Sequence, residues 1–131
     1  MTKFQRALAV LAGLLLLIIG LRFLIWPLAA QHSFGLGKGD PGMGLHQAVG
    51  LRDLWLALLA IAFVWSKNWP ALALWFAFGA AVCLGDAVIV AAEGARWPYI
   101  GFHVGSGIFC ATLAALCFKA SQRASGENHD A

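Results

Sequence analysis

Four apolar runs organise the chain. The first covers 7–27: Ala7 to Leu21 contains no polar residue, Arg22 interrupts, and Phe23 to Trp26 resumes the apolar character. The second, 47–65, carries Arg52 and Asp53; the third, 70–92, carries Asp86; the fourth, 98–118, carries His103. About 20 apolar residues in helical form cross the hydrocarbon core of a bilayer. Each run therefore predicts a membrane-spanning helix, because backbone polar groups in lipid must be satisfied within the segment itself. Pro70 and Pro98 stand where a first helical turn tolerates proline, and Asn68 is placed to cap the third span. Trp26-Pro27, Trp69-Pro70 and Trp97-Pro98 mark three span ends, where tryptophan favours the headgroup level. A cleaved signal peptide is disfavoured, since the first apolar run continues past Arg22 and Leu28-Ala29-Ala30 is a poor cleavage site.

The connections between the runs differ. Segments 66–69 and 93–97 are short. Segment 28–46 is long and holds Gly35, Gly37, Gly39, Gly42 and Gly44, a length that often marks a functional cover. His32 and His46 fall in it and are expected to be solvated. Gly35-Leu36-Gly37-Lys38-Gly39 lacks the Ser or Thr that a phosphate loop needs after its lysine. The predicted fold is all-α: a single domain over 1–131, an up-down-up-down bundle of four transmembrane helices with a long glycine-rich loop between the first two and a polar tail at 119–131. Four spans put both termini on one side. That side would hold Lys3, Arg6, Lys67, Lys119 and Arg123, against Lys38 and Arg96 on the other, so the positive-inside rule predicts cytoplasmic termini, in a bacterial inner membrane.

Composition supports the same reading. The chain is 61% hydrophobic and 11% charged, whereas a soluble domain is about a quarter charged. The net charge of +3 comes from scattered residues, with no basic stripe of the kind that binds nucleic acid. Cys83, Cys110 and Cys117 lie inside apolar runs in no zinc-binding spacing. Neither a cofactor nor a metal is signalled.

The candidate chemistry comes from depth. At about 1.5 Å per helical residue, Arg22 lies roughly 8 Å below the outer end of its span. Arg52 and Asp53 lie roughly 9–10 Å below theirs, Asp86 roughly 10 Å and His103 roughly 8 Å. Separate spans thus deliver their ionisable groups to one layer, where isolated charges would cost several kcal/mol and should face inward and pair. The expected arrangement is a polar pocket open to the outer side beneath the glycine-rich loop; an apolar cavity of roughly 300 Å³ or more beside an arginine that bridges two aspartates would favour a small-molecule site. Arg52 and Asp53 point about 100° apart on their helix, so one is expected to face Asp86, with the arginine between two carboxylates. Asp86 shares a helical face with Gly79, Cys83 and Glu93, and His103 shares one with Gly107 and Cys110. Cys83, Glu93, Gly107 and Cys110, with Arg22, are candidate binding residues. Each has a plainer reading: a snorkelling arginine, a structural ion pair, a core histidine, small residues that serve helix packing.

Gly50-Leu51-Arg52-Asp53-Leu54, Gly85-Asp86 and His103 resemble the small four-helix membrane proteins grouped as domain of unknown function 4267. The resemblance covers most of the chain. It implies the four-span bundle and a functional role for Arg52, Asp53, Asp86 and His103, and brings no established activity.

Three functions compete. The first is binding of a lipophilic small molecule and cofactor-independent acid–base chemistry on it, of the epoxide hydrolase, cyclase or isomerase type. Asp53 and Asp86 would be base and acid, Arg52 an orienting group and His103 a hydrogen-bonding partner. The second is a small proton-coupled transporter. The acids sit toward one face rather than at the midplane expected of alternating access, which weakens it, although a homo-oligomer would partly restore it. The third is a non-catalytic assembly or lipid-binding subunit.

Overall fold

The computed structural model describes residues 1–36 and 43–127, with side chains described over 1–36 and 44–123. Five helices follow one another: α1 (Lys3–Ile25), α2 (Pro27–Phe34), α3 (Met43–Trp65), α4 (Trp69–Ala92) and α5 (Trp97–Glu127). The four long ones have the length and apolar composition to cross a membrane, over Lys3–Ile25, Gly44–Trp65, Trp69–Ala92 and Trp97–Arg123. Large apolar side chains such as Leu15, Ile18, Leu74, Phe78, Val88 and Ile108 point outward and exposed. In water this would be an unstable surface; against lipid tails it is the expected one. The chain is an integral membrane protein with an all-α fold.

Local chemistry sets the helix ends. Thr2 and Gln5 form a capping box at the start of α1, each side chain bonding the other's backbone N–H, at 3.2 and 3.0 Å. Pro27 has no N–H to continue α1 and disfavours helical geometry at Trp26, so α1 stops there and α2 begins with proline in its first turn. Gly35, at φ 97°, closes α2 in the left-handed conformation that glycine adopts without a steric cost. Segment 28–46, expected to be a loop, is therefore largely helical: α2 fills its first part and α3 its last, from Met43. Gly37, Lys38, Gly39 and Gly42 lie outside the described residues. Asn68 caps α4 by accepting from the Ala71 N–H at 3.2 Å.

The long helices associate as two pairs, α1 with α3 and α4 with α5, with sparser contact between the pairs. Small residues bring each pair together. A Cβ placed on Gly20 would stand 2.8 Å from the Gly50 carbonyl oxygen and 2.9 Å from the Leu54 nitrogen, so α1 and α3 touch backbone to backbone. Farther along, Gly13 faces Ala57 and Ile61, and the reversed order makes the pair antiparallel. Gly79 faces Cys110, and Gly107 faces Ala80 and Leu84, which gives the same sense to α4 and α5.

The two ends of the bundle differ inside. The terminal end, which holds the start of α1, the α3–α4 turn and the later part of α5, has an apolar core drawn from all four long helices: Ala9, Ala60, Trp69, Leu72, Ala73, Phe76, Leu113, Cys117 and Ala120. Trp69 belongs to this core, with the Arg6 guanidinium 5.3 Å above its ring, and so is not the exposed headgroup anchor expected of it. Trp26 and Trp97 are exposed. At the opposite end, capped by α2, the buried side chains include Gln31, His46, Asp53 and His103.

Candidate functional site

Helix α3 turns one face into the bundle along its whole length: His46, Gly50, Asp53, Ala57 and Ala60 are all buried, at the alternating four- and three-residue spacing of a helical stripe. The contact between Gly50 and Gly20 draws α3 against α1 beside Asp53, whose Cβ lies 3.2 Å from where a Gly20 side chain would begin. Asp53 is thus held in the interior by helix packing, and only 6% of it is exposed.

Arg52 does not share that burial. Its side chain is 53% exposed and folds back on its own neighbour. Both Nε, at 3.1 Å, and Nη2, at 3.0 Å, reach the same oxygen, Asp53 Oδ1, leaving Oδ2 outside the pair. The expected bridge of one arginine between two carboxylates is absent. The two Cβ directions differ by about 100°, but the guanidinium sits at the end of a long flexible stem and swings back across it. Asp86 is half-buried and makes no hydrogen bond or ion pair among the described residues. It lies within electrostatic reach of His103, Arg52 and Asp53. The four groups therefore occupy one layer, joined by a field rather than a continuous chain of bonds.

His103 is buried, 4% exposed. Its Nε2 lies 2.9 Å from the Phe34 carbonyl oxygen. A carbonyl only accepts, so Nε2 carries the proton. The Phe34 carbonyl belongs to the last turn of α2, where it has no intrahelical donor, and His103 supplies one from α5. Their rings also stand 4.4 Å apart.

This bond is one of several that tie α2 across the bundle. Gln31 Oε1 and His46 Nε2 lie 2.8 Å apart, linking α2 to α3 with both side chains buried. The Ser33 hydroxyl accepts from Arg22 Nη2 at 2.9 Å, linking α2 to α1, and the His32 ring meets Tyr99 of α5 edge-on. The Phe23 ring of α1 stacks on His46. The element above the polar layer is therefore a short helix held to α1, α3 and α5.

His46 was expected to be solvated and is a buried member of the layer. The glycines before it suggested a loop, yet its spacing to Gly50 and Asp53 already placed it on the buried stripe. Gln31 gave no such signal, because eight residues of α2 are too few to show a period. Among the other candidates, Cys83 and Cys110 are half-buried, in adjacent helices. Gly107 is covered by Leu84 at 3.4 Å and serves helix packing rather than lining a space. Glu93 is exposed at the end of α4, outside the layer, because α4 turns it to the surface where the helix stops.

A hollow of about 100 Å³ opens between α1, α2 and α5, lined by Ile19, Arg22, Phe23, Ala30, Ser33, Phe34 and Phe102. Of the residues predicted to line a pocket, it takes Arg22 and none of Arg52, Asp53, Asp86 or His103. This hollow lies on the α1–α5 side, apart from the carboxylates that were expected to line a pocket. Among the described residues no group of three His, Cys, Asp or Glu side chains is placed to hold a metal ion.

The model of one protein family, described as a domain of unknown function (DUF4267), matches residues 13–117. The chain belongs to this family. The match takes in all of α2, α3 and α4 and most of α1 and α5, with every residue of the polar layer. No curated protein and no solved structure matches the chain.

Proposed function

We propose that this DUF4267 protein binds a lipophilic small molecule at the α2-capped end of its bundle and performs cofactor-independent acid–base chemistry on it, of the epoxide-opening or isomerising type. The observation that carries this reading is Asp86. A half-buried carboxylate with no bonded partner among the described residues, within electrostatic reach of a histidine, an arginine and a second carboxylate, is costly within a membrane unless it has a use. In epoxide opening, one carboxylate takes a proton from water as the oxygen attacks carbon, and an acid returns a proton to the alkoxide. Asp53, which accepts a hydrogen bond from Arg52 Nε and pairs with its Nη2, suits proton abstraction; Asp86, with no ionic partner among the described residues, suits donation. His103 is a positioning residue, since its Nε2–H is committed to the cap. The sparse contact between the two helix pairs supports access from the bilayer, by their parting or by the cap lifting. The basic residues near the span ends support cytoplasmic termini in a bacterial inner membrane.

A second reading rests on the burial of Asp53 and its closed pair with Arg52: a non-catalytic assembly or lipid-binding subunit whose polar layer fixes helix register. Purified protein incubated with terpene and fatty-acid epoxides in ¹⁸O-labelled water separates the two. The enzymatic reading expects labelled diol from the wild type and none from Asp86→Asn or Asp53→Asn at unchanged melting temperature. If both variants instead unfold, the structural reading replaces it. Proton-coupled transport would show as pH-gradient-dependent uptake into proteoliposomes.

A further inference from the structure

The hollow between α1, α2 and α5 has a charged lip and apolar walls, and its composition points to a ligand. Arg22 lies in α1 a few residues inside the Trp26-Pro27 boundary. An arginine at that depth needs an anion or a path to the headgroups. Among the described residues it has no carboxylate partner, and its one hydrogen bond runs from Nη2 to Ser33 Oγ at 2.9 Å. The Ser33 hydroxyl donates its own proton to the Ala29 carbonyl at 2.8 Å, so its oxygen is left to accept. That fixes one side of the guanidinium and leaves its remaining donors without a partner among the described residues. The planar fork of arginine suits phosphate geometry. The rest of the wall, Ile19, Phe23, Phe34 and Phe102, is apolar.

We propose that this hollow binds the phosphate head of an anionic membrane phospholipid, with Arg22 as the ligating cation and Ser33 as the group that holds it in place, while the acyl chains stay in the bilayer. Size decides between a lipid and a free small molecule. A pocket that encloses a drug-sized ligand holds roughly 300 Å³ or more, whereas this one holds about 100 Å³. Only a molecule that leaves most of itself outside fits, and a phospholipid does. The exposed Trp26, at the end of α1, stands where a headgroup would lie. None of Arg52, Asp53, Asp86 and His103 lines the hollow, so this inference stands apart from the acid–base reading.

Native mass spectrometry of the detergent-purified protein, titrated with dioleoyl phosphatidylglycerol or dioleoyl phosphatidylcholine, tests it. The expected result is one phosphatidylglycerol bound about tenfold more tightly than phosphatidylcholine, whose choline cation offsets the phosphate charge that Arg22 reads. Arg22→Gln should erase the preference, and Ser33→Ala should weaken it. Arg96→Gln, an exposed cation at the same end whose guanidinium lies over Tyr99, should leave it unchanged. Inorganic phosphate at millimolar concentration should not compete; competition would reassign the site to free phosphate and overturn the lipid proposal. Equal binding of the two lipids, or a preference that survives Arg22→Gln, overturns it outright. Should Arg22→Gln not fold, Arg22→Lys carries the test: it keeps the charge and loses the fork, so the preference falls. An undiminished preference in both Arg22→Lys and Ser33→Ala is the contrary result.

Discussion

At the terminal end of the bundle the interior is Leu72, Phe76, Leu113 and Cys117, with almost no surface exposed; at the α2 end it includes Gln31, His46, Asp53 and His103. The contrast is sharper in a bilayer than in water. Lipid tails are as apolar as leucine, so the terminal core gains nothing from hiding its side chains and holds by shape and dispersion. The capped end holds by specific bonds, Gln31 to His46, His103 to Phe34 and Arg52 to Asp53. Packing at one end and hydrogen bonding at the other divide the molecule into a part that sets stability and a part that can be loosened without unfolding the bundle.

The largest effect should come from the helix contact that both ends share. In Gly20→Leu a bulky side chain replaces a position where even a Cβ would stand 2.8 Å from the Gly50 carbonyl oxygen. Backbone cannot yield there, and the overpacking cost should exceed the usual range of about 1–3 kcal/mol. Little folded protein should survive purification, as judged by size-exclusion chromatography; a monodisperse, stable variant would show that α1 and α3 are not locked together at this point. Next comes Phe76→Ala in the terminal core. The transfer contribution largely vanishes in lipid, which leaves the cavity contribution of about 2 kcal/mol. Steric trapping or thermal unfolding in detergent should record that loss. Turnover, or lipid binding at Arg22, should change little, because Phe76 is at the other end.

The sequence makes the terminal end easy to read and the capped end hard, for physical reasons. Span length and apolar character are enough to locate α1, α3, α4 and α5, and Asn68 with Pro70 announces the start of α4. The α2 cap was hidden in a glycine-rich stretch, although Pro27 and Gly35 are the residues that open and close a helix. The common depth of Arg22, Arg52, Asp53, Asp86 and His103 followed from counting residues. Which of them touch did not, since helical angles fix where a side chain begins and not where an arginine ends. Arg52 turning back on Asp53, and Arg22 finding Ser33 on a helix not anticipated, both show this.

A smaller and more local change is expected from His103→Leu. It removes the donor to the Phe34 carbonyl and leaves that carbonyl without a partner from α5, a cost of about 1–3 kcal/mol confined to the cap. Hydrogen exchange should report it: the amides of α2 should lose protection by roughly tenfold or more, while those of α4 near Phe76 stay as slow as in the wild type. Equal loss at both ends would mean that the bundle opens as one unit and that the division drawn above is wrong.

The smallest effect on stability, and the most telling, belongs to Asp86→Asn. The carboxyl group has no hydrogen bond or ion pair among the described residues, so the change breaks no bond and removes a group whose ionised form lipid disfavours. Stability should be unchanged within about 0.5 kcal/mol or slightly higher. Arg52→Gln should instead cost about 1 kcal/mol, reduced from the cost of a fully buried pair because the guanidinium is half in the open. Turnover distinguishes the readings. If Asp86 is kept for chemistry, its neutral isostere folds as well as the wild type and turns nothing over, whereas a layer that only fixes helix register through Arg52 and Asp53 would leave every measured property of Asp86→Asn as in the wild type.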